Sequence, residues 1–281
     1  MVDGSKKTIL ITGCSSGIGL DSALRLQKEG WQVFATCRNQ DDVQRLSEDY
    51  GLTSLRLDYE DATSIDEAVS AILEQTGGRL DALFNNGAYA VPAAVEDLPV
   101  AALRANFEAN FFGWHHLTCQ IIPVMRAQGS GRIIQNSSVL GFAALRYRGS
   151  YNATKFALEG LTDTMRLELY GSGIDVVLIE PGPIRTMIRE KSYPQFLKWI
   201  TVKGSAHEGL YRKALIPRLT AINPPPDRFE LGPEAVTDAV LHALNAKKPM
   251  IRYRITTATT LMMLAKRLFS SPMMDRLSRR I

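Results

Sequence analysis

Short apolar runs rich in β-forming residues alternate along this chain with longer segments of helical periodicity. Such alternation indicates βαβ units, in which the connecting helices bury parallel strands on both faces of a sheet. Because crossovers between parallel strands are right-handed, consecutive units produce a doubly wound sheet. The predicted strands are 8–12, 32–36, 54–57, 82–85, 132–137, 175–180 and 250–255, and the predicted helices include 18–29, 64–75, 100–126, 150–170 and 233–245.

A glycine-rich loop follows the first predicted strand and opens the first predicted helix, with the spacing T-G-x-x-x-G-x-G over residues 12–19. Gly13 allows a tight turn, Gly17 lets the backbone approach a pyrophosphate, and Gly19 lets the helix pack against the strand. The helix N-terminus adds N–H groups and a dipole that favour phosphate. We therefore predict one α/β domain over 1–281 with a Rossmann fold, a doubly wound parallel sheet of about seven strands that binds a dinucleotide.

The alternation of strands and helices breaks at residues 186–231. An excursion of this length in a compact domain is usually functional, so we predict a lid over a substrate site. The segment is rich in aromatic and aliphatic residues, which suits a lipophilic alcohol or carbonyl compound in a mostly apolar pocket. The alternative is that these residues only pack the lid onto the sheet. Its aromatic residues include Tyr193, Phe196, Trp199 and Tyr211.

The basic residues of the chain are concentrated at its C-terminal end. Residues 251–281 hold seven Lys or Arg and a single acid, Asp275, whereas the whole chain carries a net charge of only +4. A nearly neutral body argues against nucleic-acid binding, which requires a basic patch. Apolar residues recur at helical spacing over 255–269, which predicts a basic amphipathic extension over 255–281. Such a helix can lie on an anionic membrane surface or pack over the body or a neighbouring subunit, and the pattern leaves both open.

The overall composition, with 45% hydrophobic and 22% charged residues, is that of an ordinary globular protein. No apolar run approaches the ~20 residues that span a bilayer, and the N-terminal residues lack the core of a signal peptide. Three cysteines, Cys14, Cys37 and Cys119, have no metal-type spacing, and the four histidines form no ligand pattern. We expect a cytoplasmic protein without a metal site.

Tyr151 and Lys155 lie four residues apart on a predicted helix, so their Cβ atoms are about 5–6 Å apart on one face. The cation favours the tyrosinate and is expected to lower the phenol's pKa from its usual ~10. A tyrosine poised in this way can exchange a proton with an alcohol or carbonyl near neutral pH. Because Y-x-x-x-K is common on solvated helix surfaces, the interpretation depends on the glycine loop and on Ser138.

Together these motifs resemble the short-chain dehydrogenase/reductase family, in its single-domain branch, over most of residues 8–190. One position departs from the family's pattern, since the usual N-N-A-G is N-N-G-A here, although both exchanged residues stay small. The matching elements are the loop 12–19, Asp58, residues 85–88, Asn110, Ser138, Tyr151 with Lys155, and residues 181–186.

The resemblance implies a role for each catalytic residue. Tyr151 is the general acid and base, and Lys155 lowers the pKa of its phenol and binds the nicotinamide ribose. Ser138 hydrogen-bonds the substrate oxygen, and Asn110 holds a water that connects Lys155 to solvent. Ser137 competes with Ser138, and only one of two adjacent strand residues can face the site. The family's spacing to the tyrosine selects Ser138.

The resemblance also implies the cofactor contacts. Asp58 would accept from the adenine amino group, Asn85 and Gly87 would line the adenosine ribose, and Ile184 and Thr186 would contact the nicotinamide carboxamide. The other expected contacts are Gly13, Ser15, Ser16, Gly17, Ile18, Gly19, Tyr151, Lys155, Pro181 and Gly182.

The segment after the second strand favours NADP(H) over NAD(H). Residues 36–39 hold no carboxylate that would repel a 2′-phosphate, and Arg38 offers a bidentate cation to bind one. Ser15 and Ser16 add hydroxyl donors. The alternatives are a solvated Arg38 and an NAD(H)-binding site.

The predicted function is an NADP(H)-dependent interconversion of an alcohol and its aldehyde or ketone by hydride transfer. Segments 9–20, 180–186 and 232–236 resemble a subgroup that contains 17β-hydroxysteroid and retinol dehydrogenases and bacterial aldehyde reductases. This favours a steroid, a retinoid or a medium- or long-chain aldehyde as substrate. The alternatives are a 3-oxoacyl thioester reductase and a non-catalytic NADPH sensor. Family members are usually homodimers or homotetramers, built here on 100–126 and 150–170.

Overall fold

The computed structural model of the protein describes residues 6–279. These residues contain a seven-stranded sheet whose order is β3-β2-β1-β4-β5-β6-β7, with every neighbouring pair parallel. The predicted doubly wound Rossmann sheet is therefore confirmed. The strands are β1 (Thr8–Thr12), β2 (Gln32–Cys37), β3 (Thr53–Arg56), β4 (Ala82–Asn85), β5 (Gly131–Asn136), β6 (Ile174–Glu180) and β7 (Arg252–Arg254).

The helices that flank the sheet include all five of the predicted ones, with shifted ends. A helix that sequence analysis missed is α2, whose polar sequence buries only Val43 and Leu46. The helices are α1 (Gly17–Lys28), α2 (Gln40–Tyr50), α3 (Ala62–Gln75), α4 (Val100–Phe107), α5 (Gly113–Gln128), α6 (Gly149–Glu168), α7 (Ile188–Trp199), α8 (Glu208–Leu210), α9 (Ile216–Thr220), α10 (Glu234–Asn245), α11 (Thr257–Leu268) and α12 (Ser271–Ser278).

Alternation of side chains along the strands creates a separate core on each face of the sheet. In β1, Ile9 and Ile11 belong to the layer that also contains buried residues of α1 and α10. Leu10 points to the other face, where Trp114 of α5 and Leu158 of α6 are buried with it. Because side chains alternate with a period of two, one apolar strand supplies both layers.

The sheet places a crevice at the carboxyl ends of β1 and β4. Chain connections run from β1 outward through β2 to β3, and then return across β1 to begin the second half at β4. Ligands of open α/β sheets bind at such a switch point. The glycine loop leaves β1 at this position and enters α1 at Gly17.

The segment 186–231 is largely helical and forms a third small core together with body residues that include Val91 and Ala102. Phe196 of α7 and Tyr211 are fully buried there, together with Leu219 of α9. The two ends of the segment are tied together, since Arg185 N donates to Leu231 O and Leu231 N donates to Pro183 O. This segment is hereafter called the lid.

The predicted C-terminal extension forms two helices, α11 and α12. The break between them is at Phe269 and Ser270, just before Pro272, which occupies the first turn of α12. Arg280, and the residues 1–5 considered for a signal peptide, lie outside the described residues. Within residues 6–279, the longest apolar helices are too short or too polar to span a membrane.

Candidate active site

A cleft of about 1170 Å³ lies at the carboxyl ends of the strands. Residues that follow each of β1 to β6 line this cleft, and residues of the lid close its other side. Most of the predicted site residues line it. Those that do are Gly13, Ser15, Ser16, Gly17, Ile18, Arg38, Asp58, Gly87, Ser138, Tyr151, Lys155, Pro181, Gly182, Ile184 and Thr186.

The glycine loop holds a conformation that requires its first glycine. Gly13 has a φ of +68°, and a Cβ there would lie 2.5 Å from the Cα of Gly87. Gly13 of the glycine loop thus contacts Gly87 of the turn after β4, and the exchanged N-N-G-A motif keeps a small residue at this contact. Ser16, the N-cap of α1, makes no side-chain hydrogen bond to the first turn. The first N–H groups of α1 therefore remain available for an anion, which fits a dinucleotide phosphate.

A lysine that sequence analysis missed lies against the glycine loop. Lys191 Nζ, on α7 of the lid, donates to Ser15 Oγ and to Ser16 Oγ at 2.8 Å each. Arg45 Nη2 donates to Ser15 O at 2.7 Å and pairs with Asp42. Burial lowers the pKa of Lys191 from its usual value. Because Lys191 is 175 residues from Ser16 in the chain, no local pattern indicated this contact.

Asn85 does not line the cleft, unlike the other residues expected at the adenosine end. Its side chain is fully buried, accepts from Tyr59 Oη at 2.8 Å and donates to Thr118 Oγ1 at 3.0 Å. Asn86 lines the cleft instead and donates to Thr12 O at 3.0 Å. Asn85 thus lies beneath the residues that line the cleft and is held there by Tyr59 and Thr118.

Tyr151, Lys155 and Ser138 lie together at the middle of the cleft. Lys155 lies in the first turns of α6 and is buried, and its Nζ donates to Asn136 O at 2.7 Å. The same Nζ is 5.6 Å from the ring centre of Tyr151 and 4.2 Å from that of Trp114. This arrangement places an ammonium group beneath the phenol and an alcohol beside it.

The hydroxyls of Ser137 and Ser138 take different directions. Ser138 interacts with the Tyr151 phenol, and its Oγ accepts from Leu140 N at 3.1 Å. The Ser137 Oγ faces Gly141, where a Cβ would lie only 2.5 Å from it.

Burial moves the pKa values of both central groups. It raises the pKa of Tyr151 to about 12, and the interaction with Ser138 opposes this rise. Burial also lowers the pKa of Lys155 to about 7, while the negative charge of Glu159 raises it. The direction for Tyr151 is opposite to the one expected from the Tyr-Lys spacing. Spacing indicates proximity between the two groups, but it does not reveal that the packing around them buries Lys155 and half-buries Tyr151.

Asn110 lies behind the cleft in a π-helical turn, Glu108–Phe112, between α4 and α5. Its Nδ2 donates to Tyr89 O at 2.8 Å, and its Oδ1 accepts from Tyr89 N at 3.1 Å. The same Nδ2 is 3.3 Å from the Oγ1 of Thr154, the neighbour of Lys155. Such π turns interrupt helices frequently at functional sites.

The lid side of the cleft combines apolar and cationic side chains, and the cationic ones were not predicted from the sequence. Leu140, Leu145 and Leu219 lie here with the run Pro224, Pro225 and Pro226. Arginines also line this side, namely Arg148, Arg185, Arg189 and Arg218. In the part of the chain from 6 to 279, no three His, Cys, Asp or Glu side chains cluster in a way that could hold a metal ion.

Comparison with known proteins agrees with this architecture. A family model described as short chain dehydrogenase matches residues 7–196. The chain is 40% identical over 273 residues to the uncharacterized oxidoreductase YbbO of Escherichia coli (strain K12), covering 97% of this chain and 94% of that protein.

Two further relatives are named for their activities. An NADPH-dependent 3-dehydrocapnine reductase of Ornithobacterium rhinotracheale is 30% identical over 275 residues, covering 95% of this chain and 94% of that protein. Human 17-beta-hydroxysteroid dehydrogenase type 1 is 33% identical over 281 residues, covering 94% of this chain and 81% of that protein. With its parallel sheet, glycine loop and central Tyr-Lys-Ser group, this chain belongs to the short-chain dehydrogenase family and is an oxidoreductase.

Proposed function

We propose that this oxidoreductase interconverts a lipophilic alcohol and its aldehyde or ketone with NADP(H). The observation that supports the chemistry most directly is the convergence of Tyr151, Ser138 and Lys155 in the cleft that begins at the glycine loop. These side chains supply a proton, a hydrogen bond and a positive charge at one point. A non-catalytic sensor would have no need for this combination.

In the reductive direction, R–CHO, NADPH and a proton give R–CH₂OH and NADP⁺, and the nicotinamide supplies the hydride. Tyr151 donates the proton to the carbonyl oxygen. Its pKa of about 12 keeps the phenol protonated at neutral pH, so this proton is available. Ser138 donates a hydrogen bond to the same oxygen and stabilises the charge that develops there. Proton transfer from a placed acid contributes about 10²–10⁴-fold in rate.

Lys155 restores the proton of Tyr151. With its pKa lowered to about 7, the ammonium group exchanges protons readily near neutral pH. Asn136 O accepts from the Nζ, and Asn110 Nδ2 lies 3.3 Å from the Oγ1 of Thr154, the residue before Lys155 in α6. We propose that Asn110 orders a water that links Lys155 to solvent.

The preference for NADP(H) rests on the cations around the adenosine end. Arg38 lines the cleft, and Lys191 also lines it and contacts Ser15 and Ser16, whereas Asp42, one of the acids that line the cleft, is paired with Arg45. A 2′-phosphate would therefore meet two cations and two hydroxyls. The similarity to an NADPH-dependent 3-dehydrocapnine reductase agrees with this preference.

The remaining cofactor contacts are assigned to other residues that line the cleft or lie in the glycine loop. The first turn of α1 binds the pyrophosphate, Asp58 and Gly87 lie at the adenosine end, and Thr186 packs at the glycine loop. The residues proposed to complete these contacts are Gly13, Gly17, Ile18, Gly19, Pro181, Gly182 and Ile184.

The proposed substrate is a steroid, a retinoid or a medium- or long-chain aldehyde. Apolar residues at the lid side favour a lipophilic body, and the similarity to a steroid dehydrogenase points the same way. A homodimer or homotetramer is proposed because Phe112, Phe156 and Leu167 are exposed on the long helices. On α11, Leu261, Leu264 and Leu268 are exposed as well. We propose that a membrane surface or a second subunit covers them.

The experiment is a turnover assay that follows the absorbance of the reduced cofactor. The purified chain is given NADPH or NADH in parallel, with steroids, retinal and aldehydes of graded length. We expect turnover that increases with chain length and is faster with NADPH. NADPH binding without consumption by any compound would contradict the proposal and favour a sensor.

A further inference from the structure

The arginines at the lid side of the cleft outnumber the acids that they contact. Arg185 Nε is 3.0 Å from Glu230 Oε1, and Arg218 Nη2 is 2.9 Å from Asp227 Oδ2. Arg189 pairs with the same Asp227 and is 3.8 Å from Glu230. Two carboxylates are thus already shared among three guanidinium groups.

Arg148 is a fourth arginine of this cluster, and it lacks an acidic partner. Its Nη1 donates to Tyr147 O at 3.2 Å, and across residues 6–279 no carboxylate oxygen lies within ion-pair distance of it. Burial and the neighbouring Arg218 and Arg189 lower the pKa of Arg148 to about 10, and the charge of Asp227, which is already paired with Arg189 and Arg218, opposes this only in part. The side chain therefore still carries its charge at neutral pH. A half-buried charge of this kind is costly without a counter-ion.

The fold treats a structural arginine differently. Arg252 is also half-buried, and it contacts three carboxylates, those of Glu159, Asp163 and Glu180, at 2.7 to 3.2 Å. Such full pairing is what a buried arginine needs when its role is only structural. The contrast indicates that the counter-ion of Arg148 comes from outside the chain.

Arg148 also lies close to the reacting group. It is the N-cap residue of α6, three residues before Tyr151, and both side chains line the same cleft. Asn152 N donates to Arg148 O at 2.8 Å, so the backbone of Arg148 is joined to the first turn of α6, which carries Tyr151. An anion bound by Arg148 would therefore share the cleft with a carbonyl that reaches Tyr151, and Leu140, Leu145 and Leu219 line the same cleft.

We propose that the substrate is an amphiphile with a carboxylate or sulfonate a few bonds from its carbonyl, and that Arg148 binds this anionic group. The proposal rests on the proposed function and specifies its substrate class. Arg189 and Arg218 add positive potential at the same side of the cleft. Their side chains remain tied to Asp227, so Arg148 is the residue that contacts the anion.

The test compares a long-chain γ-keto acid with its methyl ester, which has the same carbonyl and tail without the charge. The kcat/KM of each is measured with NADPH for the parent protein and for Arg148→Gln, Arg148→Lys and Arg212→Gln. Arg212 is a matched control, since it is an exposed lid arginine that pairs with Glu208 and lies outside the cleft. Binding of the corresponding unreactive fatty acid is measured by calorimetry.

We expect the parent protein to prefer the acid, and Arg148→Gln to reduce the acid-to-ester ratio by about tenfold to a hundredfold, as for a lost charge-assisted hydrogen bond. Arg148→Lys should lie between the two, because lysine keeps the charge without the bidentate geometry. Arg212→Gln should leave the ratio unchanged.

Equal kcat/KM for acid and ester in the parent protein would overturn the proposal, and so would an equal loss for both in Arg148→Gln, which would indicate a structural role. Either result leaves the proposed reductase intact if the ester is turned over. Conversely, Arg148-dependent binding of the fatty acid without turnover of any carbonyl would support the anion site and refute the proposed function.

Discussion

At the scale of single residues, the properties of the site depend on burial more than on spacing. Lys155 is buried and Tyr151 is half-buried, and the pKa of each is shifted toward the neutral form. Glu159, one turn further along α6, opposes this effect on Lys155. The residue pattern identified the pair, but the direction of their pKa shifts required the surrounding packing.

Replacing Tyr151 with Phe removes the proposed proton donor and keeps the ring. We expect kcat to fall by about 10²–10⁴-fold, the usual contribution of a general acid, with NADPH affinity nearly unchanged. Steady-state rates and NADPH titration by fluorescence measure the two effects. Activity close to that of the parent protein would contradict the mechanism.

Replacing Glu159 with Gln removes the charge that raises the pKa of Lys155, so this pKa should fall further below about 7. A lysine with a lowered pKa loses its charge as pH rises through that value. We expect kcat/KM for reduction to decline with rising pH near 7 in the parent protein, and at lower pH in Glu159→Gln.

The matched control for this pH profile is Asp163→Asn. Asp163 lies on the same helix and also pairs with Arg252, but it does not act on the pKa of Lys155. The control profile should therefore follow that of the parent protein. A shift of equal size in both variants would assign the effect to the loss of Arg252 pairing.

At the scale of elements, a π turn separates α4 from α5, and the residue after this turn packs against the loop that follows β3. The predicted helix 100–126 is present, but sequence periodicity gave no sign of the π turn at Glu108–Phe112. Directly after this turn, Gly113 packs against the backbone of Tyr59. The turn places Asn110 against Tyr89, which depends on tertiary contacts rather than local propensity.

Replacing Gly113 with Ala would put a Cβ 2.4 Å from Tyr59 O. We expect the free energy of unfolding to fall by about 1–3 kcal/mol, the usual cost of overpacking. Gly209→Ala in α8 is the control, because a Cβ there meets no atom within 4 Å. Denaturant unfolding measures both, and equal stability of the two variants would contradict the packing argument.

At the scale of the whole molecule, the lid and the sheet are predicted to behave as one domain. The lid core includes Val91 and Ala102 from the body, and Lys191 ties α7 to the glycine loop. Cofactor that bridges the two parts should stabilise both together. A ligand at about 100 times its Kd stabilises the folded state by about 2.7 kcal/mol.

Calorimetry should accordingly show a single unfolding transition whose Tm rises by roughly 5–10 °C with saturating NADPH, given about 2–4 °C per kcal/mol for domains near this size. NADH at the same concentration should raise Tm less, and Arg38→Gln should remove the difference between the two cofactors. Arg25→Gln, an exposed arginine paired with Glu29, serves as the control. Two separate transitions would contradict the single domain, and equal shifts in the parent protein would contradict the role of Arg38.

The sequence alone determined the parts of this protein that follow local rules. The short apolar run of β1 and the glycine spacing of residues 12–19 specify a buried parallel strand that enters a phosphate-binding helix, because both patterns lie within one strand or one turn. Tyr151 and Lys155 were recognisable for the same reason, since one helix turn joins them.

Only the tertiary structure decided what depends on residues that are distant in the chain. It placed Lys191 on Ser15 and Ser16, moved Asn85 below the cleft, and left Arg148 without a carboxylate beside Arg189 and Arg218. The contacts of Lys191 arise where the lid returns to the sheet, and those of Asn85 arise beneath the cleft, and no local periodicity encodes which side chains meet there. Burial shifts the pKa values of Lys191 and Arg148, and burial is set by packing between parts of the chain that are distant in sequence.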